Sequence, residues 1–196
     1  GYSNTTGVNL AAHGYQALYS NTTGDGSAAF GFRALYSNTT GGYNAASGTE
    51  ALYSNTTGSS NVAQGRHALY SNTTAFSNTA VGYQSQYSGQ TTNYNTSVGY
   101  QSAYSLTSGD EITAVGFKAL FANTTGVNNS AFGSNTLGSN TTGANNIAMG
   151  KQAMGSNTVG GSNTGLGHYA LYSNTTASNN TAVGYQAGFS NTTGGS

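Results

Sequence analysis

Glycine recurs every seventeen residues along this chain, without an insertion or deletion between the first copy and the last. Such regular spacing is typical of identical structural units stacked in one direction. It predicts a single repeat domain over residues 1–196, with about eleven and a half turns. The eleven glycines, here called the glycine column, are Gly14, Gly31, Gly48, Gly65, Gly82, Gly99, Gly116, Gly133, Gly150, Gly167 and Gly184.

The repeat unit has the composition of short strands and bends. Starting four residues before the glycine, it reads approximately N-T-A-V-G-Y-Q-A-L-Y-S-N-T-T-G, followed by two variable residues. It shows no apolar stripe of helical period, and the chain has no proline, which would remove ladder hydrogen bonds. We therefore predict an all-β fold: a parallel β-solenoid, or β-roll, with a strict 17-residue repeat in which residues seventeen apart stack directly.

Charged residues mark where each turn is expected to bend. All eight formal charges fall at four of the seventeen positions, in two clusters. Because charged side chains avoid a packed interior, these clusters predict two outward corners, separating a short arm that ends at the glycine from a longer arm. One cluster comprises Arg33, Glu50, Arg66, Lys118 and Lys151, and the other comprises Asp25, Asp110 and Glu111.

Small residues and leucine mark the predicted interior. Alanine stands two residues before the glycine in nine of the eleven copies, with Ser97 and Gly165 as the exceptions. Packing of this alanine against a leucine from the long arm predicts that Ala114 and Ala131 are almost fully buried. The interior is thin, since apolar burial contributes only about 3 kcal/mol per turn before entropy is subtracted. The leucine column, four residues after the glycine, contains Leu18, Leu35, Leu52, Leu69, Leu120, Leu137 and Leu171.

Stacking at the inter-strand spacing of about 4.8 Å would turn repeated positions into ladders. Asn21, Asn38, Asn55 and Asn72 are expected to form an amide ladder. Tyrosine recurs five residues after the glycine, at a position here called the tyrosine column. Stacking is expected to form an aromatic ladder of Tyr19, Tyr36, Tyr53, Tyr70, Tyr87 and Tyr104. The glycine that closes the long arm is predicted to need a positive φ, and it occurs as Gly24, Gly41, Gly58, Gly126 and Gly143.

The residue just before each glycine changes character along the chain. It is His13, Phe30, Ser47 and Gln64 in the first four copies. We predict that this column faces another chain from Val81 onward and is more hydrated before it. The later members are Val81, Val98, Val115, Phe132, Met149, Leu166 and Val183.

Composition and spacing argue against a catalytic or metal site. Cysteine is absent, which excludes disulfides and thiolate ligands. His13, His67 and His168 fall at three different positions of the unit without an acidic partner at a fixed offset, so structural or surface roles are expected. Four acidic residues cannot reproduce the carboxylate clusters of sugar-cleaving β-helices or of Ca²⁺-binding glycine-rich repeats. We expect no catalytic, cofactor-binding or metal-binding residues, no cofactor and no enzymatic activity.

The charge content also limits the partners. Charged residues make up 4% of the chain, and the formal net charge is zero. Nucleic acids and anionic membranes select basic patches, so both are poor partners. No apolar run approaches the roughly 18 residues of a membrane span.

Two surface functions are suggested by the Asn-Thr-Thr segments, which match the N-glycosylation acceptor pattern. Glycans on every rung of a ladder would collide, so a structural role is preferred, with sparse glycosylation left open. A row of threonines also suggests ice binding, but Thr22 and Thr23 would point to opposite faces of a strand, so only one could belong to an outer row. The nine asparagines are Asn4, Asn21, Asn38, Asn55, Asn72, Asn123, Asn140, Asn174 and Asn191.

The short arm carries a resemblance to a known family. Residues 78–82, N-T-A-V-G, and 95–99, N-T-S-V-G, resemble the N-S-V-A-I-G repeats of YadA-type trimeric autotransporter adhesin heads. Over the entire chain, the unit also resembles the repeat shafts of tail-fibre-like proteins of bacteria and phages. The adhesin repeat is shorter than seventeen residues, so its detailed geometry does not carry over. The resemblance implies a left-handed parallel β-roll, assembled as a homotrimer and displayed outside the cell or on a virion.

These observations favour a structural and adhesive segment of an extracellular fibre, at a cell or virion surface, with a host-surface or glycan receptor. The alternative is an ice-binding or surface-binding β-solenoid. The chain begins and ends in the second half of a unit, at Tyr2-Ser-Asn-Thr-Thr-Gly7 and Ser190-Asn-Thr-Thr-Gly194, without a divergent polar cap. Uncapped strand edges recruit further strands, so the repeats are expected to continue in a longer polypeptide or by end-to-end stacking into a filament.

Overall fold

The structure is a computed structural model that describes residues 2–192. It is a parallel β-solenoid in which each turn contributes one short strand, and the eleven strands form a single parallel sheet in chain order. Within the described residues there is no helix. The strands are β1 (Ala11–His13), β2 (Ala28–Phe30), β3 (Ala45–Ser47), β4 (Val62–Gln64), β5 (Thr79–Val81), β6 (Thr96–Val98), β7 (Thr113–Val115), β8 (Ser130–Phe132), β9 (Ile147–Met149), β10 (Thr164–Leu166) and β11 (Thr181–Val183).

Every strand pair joins residues that are seventeen apart in the sequence. Ala29 pairs with Ala46, and Val98 pairs with Val115. Hydrogen bonds between turns also continue outside the strands, as from the Thr39 N–H to the Thr56 carbonyl at 2.9 Å. The predicted all-β solenoid with a 17-residue register is therefore confirmed, with about ten turns between β1 and β11.

The glycine column follows each strand directly, in a backbone conformation that side chains disfavour. Gly99 and Gly116 both have a φ of +134°. A Cβ on Gly99 would also lie less than 3.0 Å from the carbonyl oxygen of Gly116 in the next turn. Because the φ and the close approach of successive backbones both select glycine, this position does not vary along the solenoid.

The two charge clusters lie at outward corners, as predicted. All eight charged residues are exposed or half-buried. Arg33, Lys118 and Glu111 have φ values of 54°, 52° and 56°, so left-handed residues bend the chain at both corners. The corners therefore combine a left-handed backbone with side chains that remain in contact with water.

The long arm is not a strand, which corrects the expectation for Thr22 and Thr23. No strand is assigned between the leucine column and the second corner in any described turn. The leucine column itself is left-handed, with φ values of 53° at Leu35 and 51° at Leu120, and it adds a bend. Strand alternation requires an extended backbone, so it does not separate these two threonines. Their exposure nevertheless differs, because Thr22 is half-buried with its hydroxyl bonded to the Thr39 carbonyl, whereas Thr23 is exposed.

The glycine that closes the long arm also has a different role from the predicted one. The φ at these positions is not positive. Instead, a Cβ would lie less than 3.0 Å from the carbonyl oxygen of the equivalent residue one turn later. At these five glycines the constraint is therefore the close approach of two backbones rather than a left-handed bend. This correction applies to Gly24, Gly41, Gly58, Gly126 and Gly143.

The interior is formed by the predicted alanine and leucine columns and by a further alanine column. Ala114 and Ala131 are fully buried, which confirms the prediction for both residues. Leu35 and Leu52 are also fully buried and belong to the same cluster as Ala29 and Ala46. The further column lies three residues after the glycine, and it includes Ala17, Ala34, Ala51, Ala68, Ala119, Ala153 and Ala170.

Replacement of Ala114 with phenylalanine should lower the free energy of unfolding by roughly 1–3 kcal/mol, because the thin interior has no room for a ring. Thr125→Phe is the control, since Thr125 is exposed and lies outside the strands. The control should stay within about 0.5 kcal/mol of the parent. Both values can be measured by urea denaturation, and an unchanged midpoint for Ala114→Phe would contradict the packing described here.

Two buried asparagine ladders stabilise the long arm. The Asn38 Nδ2 donates to the Asn21 Oδ1 at 2.8 Å and to the Gly41 carbonyl at 2.9 Å. The second ladder lies thirteen residues after the glycine, where the Asn44 Nδ2 donates to the Gly58 carbonyl at 2.8 Å. Backbone groups that the bends leave without a ladder partner are thereby satisfied inside the protein.

A polar segment divides the interior into two apolar clusters. Gln86 occupies the leucine column, is fully buried, and donates from Nε2 to the Thr92 Oγ1 at 3.0 Å. The buried Ser85 hydroxyl donates to the Ser97 carbonyl at 2.8 Å. One apolar cluster extends from Ala17 to Ala80, and the other begins at Ala103. Hydrogen bonding within this segment offsets the cost of burying its polar side chains.

Candidate functional site

The three histidines lie in different turns and different surroundings. His13 is exposed, and the His168 ring stacks on Tyr169 with 4.2 Å between centroids. The His67 Nε2 lies 3.0 Å from the Glu50 Oε2. Glu50 precedes His67 by seventeen residues, so the expectation of no acidic partner at a fixed offset is wrong for His67. The sequence contained the information needed to predict this pair, because the separation of Glu50 and His67 equals the repeat length of seventeen residues.

The His67–Glu50 pair is not joined by a third His, Asp or Glu side chain that could complete a metal site among the described residues. Within the described residues, no group of three His, Asp or Glu side chains could hold a metal ion. His67 instead packs edge-on against Tyr70, with 5.2 Å between ring centroids. The pair thus fixes the side chains of one corner beside the tyrosine column.

Tyrosines near this pair have altered acidity. Burial raises the pKa of Tyr70 above its ordinary value of 10.0, and the Glu50 carboxylate raises it further. Burial also raises the pKa of Tyr87, followed by the effects of Tyr104 and Glu50. In both cases the folded chain favours the neutral phenol.

The raised pKa values predict a loss of stability in alkali. Because the unfolded chain releases these protons first, the contribution of Tyr70 and Tyr87 is present below pH 10.0 and is lost as the pH rises through their folded pKa values. NMR titration of ¹³Cζ-labelled tyrosine should show that Glu50→Gln lowers the pKa of Tyr70. Glu111→Gln, at the other corner, is the control and should leave it unchanged.

An aromatic ladder runs along the tyrosine column. Its rings stack with 5.1–5.4 Å between the centroids of neighbours, from Tyr2 through Tyr104 to Phe121. The predicted aromatic ladder is therefore confirmed. Glycine occupies the next two positions of the column, at Gly138 and Gly155, and stacking resumes between Tyr172 and Phe189 at 5.3 Å.

A cleft of about 340 Å³ lies where the ladder is interrupted. Its ends are formed by Phe121 and Tyr172, and Gly138 and Gly155 lie between them. The Tyr172 ring leans toward Gly155, where an added Cβ would lie 2.9 Å from the Tyr172 Cε2. Polar residues from the two flanking columns complete the lining, and they are Lys118, Asn135, Gln152, Ser139 and Ser156. The sequence indicates the two glycines, but the predicted ladder ended at Tyr104 and this cleft was not anticipated.

The outer side of the sheet is an exposed surface with a large apolar content. The first and third residues of each strand form this surface, while the middle residue points into the core. Met149 is 52% exposed, and Phe30 and Ile147 are each 49% exposed. In the single chain, Val81, Val98 and Val115 are half-buried, whereas Gln64 is exposed. The prediction that this column faces another chain stays a prediction.

Most of the Asn-Thr-Thr segments are unsuited to glycosylation, because their asparagine side chains are buried. An acceptor amide must be reachable from solvent, which the ladder prevents. Asn4 is exposed and Asn191 is half-buried. The buried acceptors are Asn21, Asn38, Asn55, Asn72, Asn123, Asn140 and Asn174.

The two threonine columns both reach the surface. Thr39 is half-buried, and its hydroxyl donates to the Thr56 carbonyl at 3.0 Å. Thr40 is exposed, as is its equivalent Thr57 in the next turn. The exposed column therefore forms a row along the solenoid at about 4.8 Å per turn, while hydroxyls of the half-buried column bond to the next turn.

Comparison with family models, with curated proteins and with solved structures finds no match for this chain. Among residues 2–192, no helix is present that could cross a membrane.

Proposed function

We propose that the chain is a structural and adhesive segment of an extracellular fibre, displayed at a cell or virion surface and without catalysis. The observation that carries the proposal is the uninterrupted stack of eleven strands in one 17-residue register. Asparagines, tyrosines and backbone amides are all used for contacts between successive turns. An elongated, stiff spacer is what such an arrangement provides.

The outer side of the sheet supports self-association. Ten intervals of about 4.8 Å make this surface roughly 48 Å long. Its exposed members include Phe30, Val62, Phe132, Ile147 and Met149, and none of its residues carries a formal charge. Apolar surface of this extent favours contact with another protein surface. We assign this contact to further copies of the chain in a homotrimer, as the resemblance to trimeric adhesin heads implies.

Native mass spectrometry and electron microscopy test the assembly. The expected result is a trimeric rod, and Val115→Asp should dissociate it because a carboxylate would be buried at the contact. Thr125→Asp, in the exposed threonine column, is the matched control and should leave the trimer intact. A monodisperse monomer of 19.7 kDa would contradict the proposed self-association.

Ice binding is a second candidate, favoured by the exposed threonine row that contains Thr40 and Thr57. Regularly spaced hydroxyl and methyl groups on a stiff scaffold can order water. Thermal hysteresis distinguishes the two functions: the fibre proposal expects none. A hysteresis that is lost in Thr40→Tyr and Thr57→Tyr variants would instead establish ice binding through this row.

A further inference from the structure

We propose that the cleft at Gly138 and Gly155 binds an acidic saccharide, with its pyranose rings in the gap between Phe121 and Tyr172. The inference deepens the adhesive part of the proposed function and rests on it. It places receptor recognition on one side of the solenoid, away from the sheet surface assigned to self-association.

The two ends of the cleft are aromatic rings. Phe121 and Tyr172 are three turns apart, or roughly 14 Å at about 4.8 Å per turn. Phe121 stacks on Tyr104 at 5.4 Å and Tyr172 stacks on Phe189 at 5.3 Å, and both rings line the cleft. Tyr172 also packs edge-on against Tyr169, with 5.2 Å between ring centroids. The C–H faces of a pyranose are apolar, and they suit such rings as the faces of another aromatic ring would.

The rim of the cleft carries polar groups that remain available. The side chains of Ser139, Gln152 and Ser156 make no hydrogen bond within residues 2–192. Elsewhere in the column of Gln152, side chains of successive turns hydrogen-bond to each other. The Arg33 Nε donates to the Gln16 Oε1 at 2.9 Å. The Gln101 Nε2 donates to the Gln84 Oε1, also at 2.9 Å. Donors and acceptors around an apolar space match the hydroxyl groups at the edge of a sugar ring.

Charge selects an acidic sugar. Lys118 is the only charged residue that lines the cleft. Its Nζ lies 5.0 Å from the centroid of the Phe121 ring, at one end of the cleft. A carboxylate on a ring stacked against Phe121 would therefore meet the ammonium group, and a charge-assisted hydrogen bond is stronger than a neutral one.

A pair of aromatic side chains from another protein fits the cleft less well. Two such rings would complete the stack, but they would leave the half-buried Gln152 amide and Ser156 hydroxyl without partners at the contact. Unsatisfied polar groups at such a contact weaken binding. A saccharide can both stack on the aromatic rings and hydrogen-bond to the polar groups at the rim of the cleft.

Titration calorimetry with two disaccharides of the same linkage tests the proposal. The probes are β-1,4-linked mannuronic acid disaccharide and neutral β-1,4-mannobiose. The acidic probe should bind about tenfold more tightly. Lys118→Met should remove this difference, whereas Lys151→Met, which changes an exposed lysine that does not line the cleft, should preserve it.

A tyrosine placed at position 138 would restore the aromatic ladder, and it tests whether the saccharide binds in this cleft. Gly138→Tyr restores the usual residue of the tyrosine column, so the variant should keep the thermal stability of the parent and lose binding of both probes. If Gly138→Tyr does not fold, Tyr172→Ala removes one aromatic end and should weaken binding of the acidic probe about tenfold. Unchanged binding in the folded variant would overturn the assignment.

The remaining outcomes separate this proposal from the fibre proposal. If the parent chain binds neither probe but forms the trimer, the saccharide site is wrong and the fibre proposal stands. If a monomeric parent binds the acidic probe, the saccharide site stands and self-association is wrong. A change of oligomeric state in Gly138→Tyr, without saccharide binding by the parent, would assign the cleft to a protein contact and overturn the proposal.

Discussion

Replacement of Gly99 with alanine is expected to lower the free energy of unfolding by about 3 kcal/mol or more. Two costs act together at this position. The φ of +134° is unfavourable for any residue with a Cβ, and the new methyl group would lie less than 3.0 Å from the carbonyl oxygen of Gly116. The nearby atoms are backbone atoms of the next turn, so relief would require adjacent turns to separate and their ladder hydrogen bonds to weaken.

Gly184→Ala is the control for the contact between a new methyl group and the backbone of the next turn. Its φ is +131°, but a Cβ there would meet only the Ala187 Cβ, at 3.8 Å, among the described atoms. It should therefore show only the backbone cost, about 1–3 kcal/mol. Urea denaturation followed by circular dichroism measures both variants. Equal losses would show that φ alone selects glycine, and an unchanged Gly99→Ala midpoint would contradict the close approach of turns.

Replacement of Asn55 with alanine is expected to cost about 2–3 kcal/mol. The Asn55 Nδ2 donates to the Asn38 Oδ1 at 2.8 Å and to the Gly58 carbonyl at 3.0 Å. The Asn55 Oδ1 accepts from the Asn72 Nδ2 at 2.7 Å. After substitution, Gly58 and Asn72 keep other hydrogen bonds, but the Asn38 Oδ1 is left buried without a partner. That desolvated oxygen accounts for much of the expected loss.

Two controls isolate the ladder in the same denaturation experiment. Thr57→Ala changes an exposed residue two positions from Asn55 and should stay within about 0.5 kcal/mol of the parent. Asn72→Ala removes the last amide of this ladder segment, whose Oδ1 has no partner, and should cost less than Asn55→Ala. Equal losses for Asn55→Ala and Thr57→Ala would show that the buried ladder contributes nothing measurable.

Much of the fold could be predicted because contacts along a column join residues at one constant separation. The Tyr36–Tyr53 stack and the Asn21–Asn38 hydrogen bond both follow directly from the period of seventeen residues. The burial of Ala114 follows from the small size of its column. The pairing of His67 with Glu50 was available by the same rule, since the two residues are seventeen apart.

Contacts between columns were harder to predict, since they depend on the path of the chain within a turn. The left-handed conformation of Leu35 is one example, because leucine has no preference for it. Packing inside the solenoid and hydrogen bonds to the neighbouring turns hold that bend. The role of the long-arm glycines was equally hard to predict. Their constraint is the backbone of the next turn, which comes close only in the folded chain.

The candidate cleft shows both kinds of information. The absence of aromatic side chains at Gly138 and Gly155 is visible in the tyrosine column. The arrangement of Lys118, Gln152 and Ser156 around that space is not, because these residues belong to other columns and other turns. A site of this kind becomes recognisable only when the distance between neighbouring columns is known.

The sequence by itself determined the solenoid, its register, the buried alanine and leucine columns, and the two charged corners. Strict repetition makes every turn a template for the next, so these features require no knowledge of the path within a turn. Only the tertiary structure decided that the long arm bends instead of forming a strand, that most Asn-Thr-Thr amides are buried, and that a cleft opens between Phe121 and Tyr172. The physical reason is that bends, amide burial and clefts arise from packing between different columns, and the period of seventeen residues does not specify that packing.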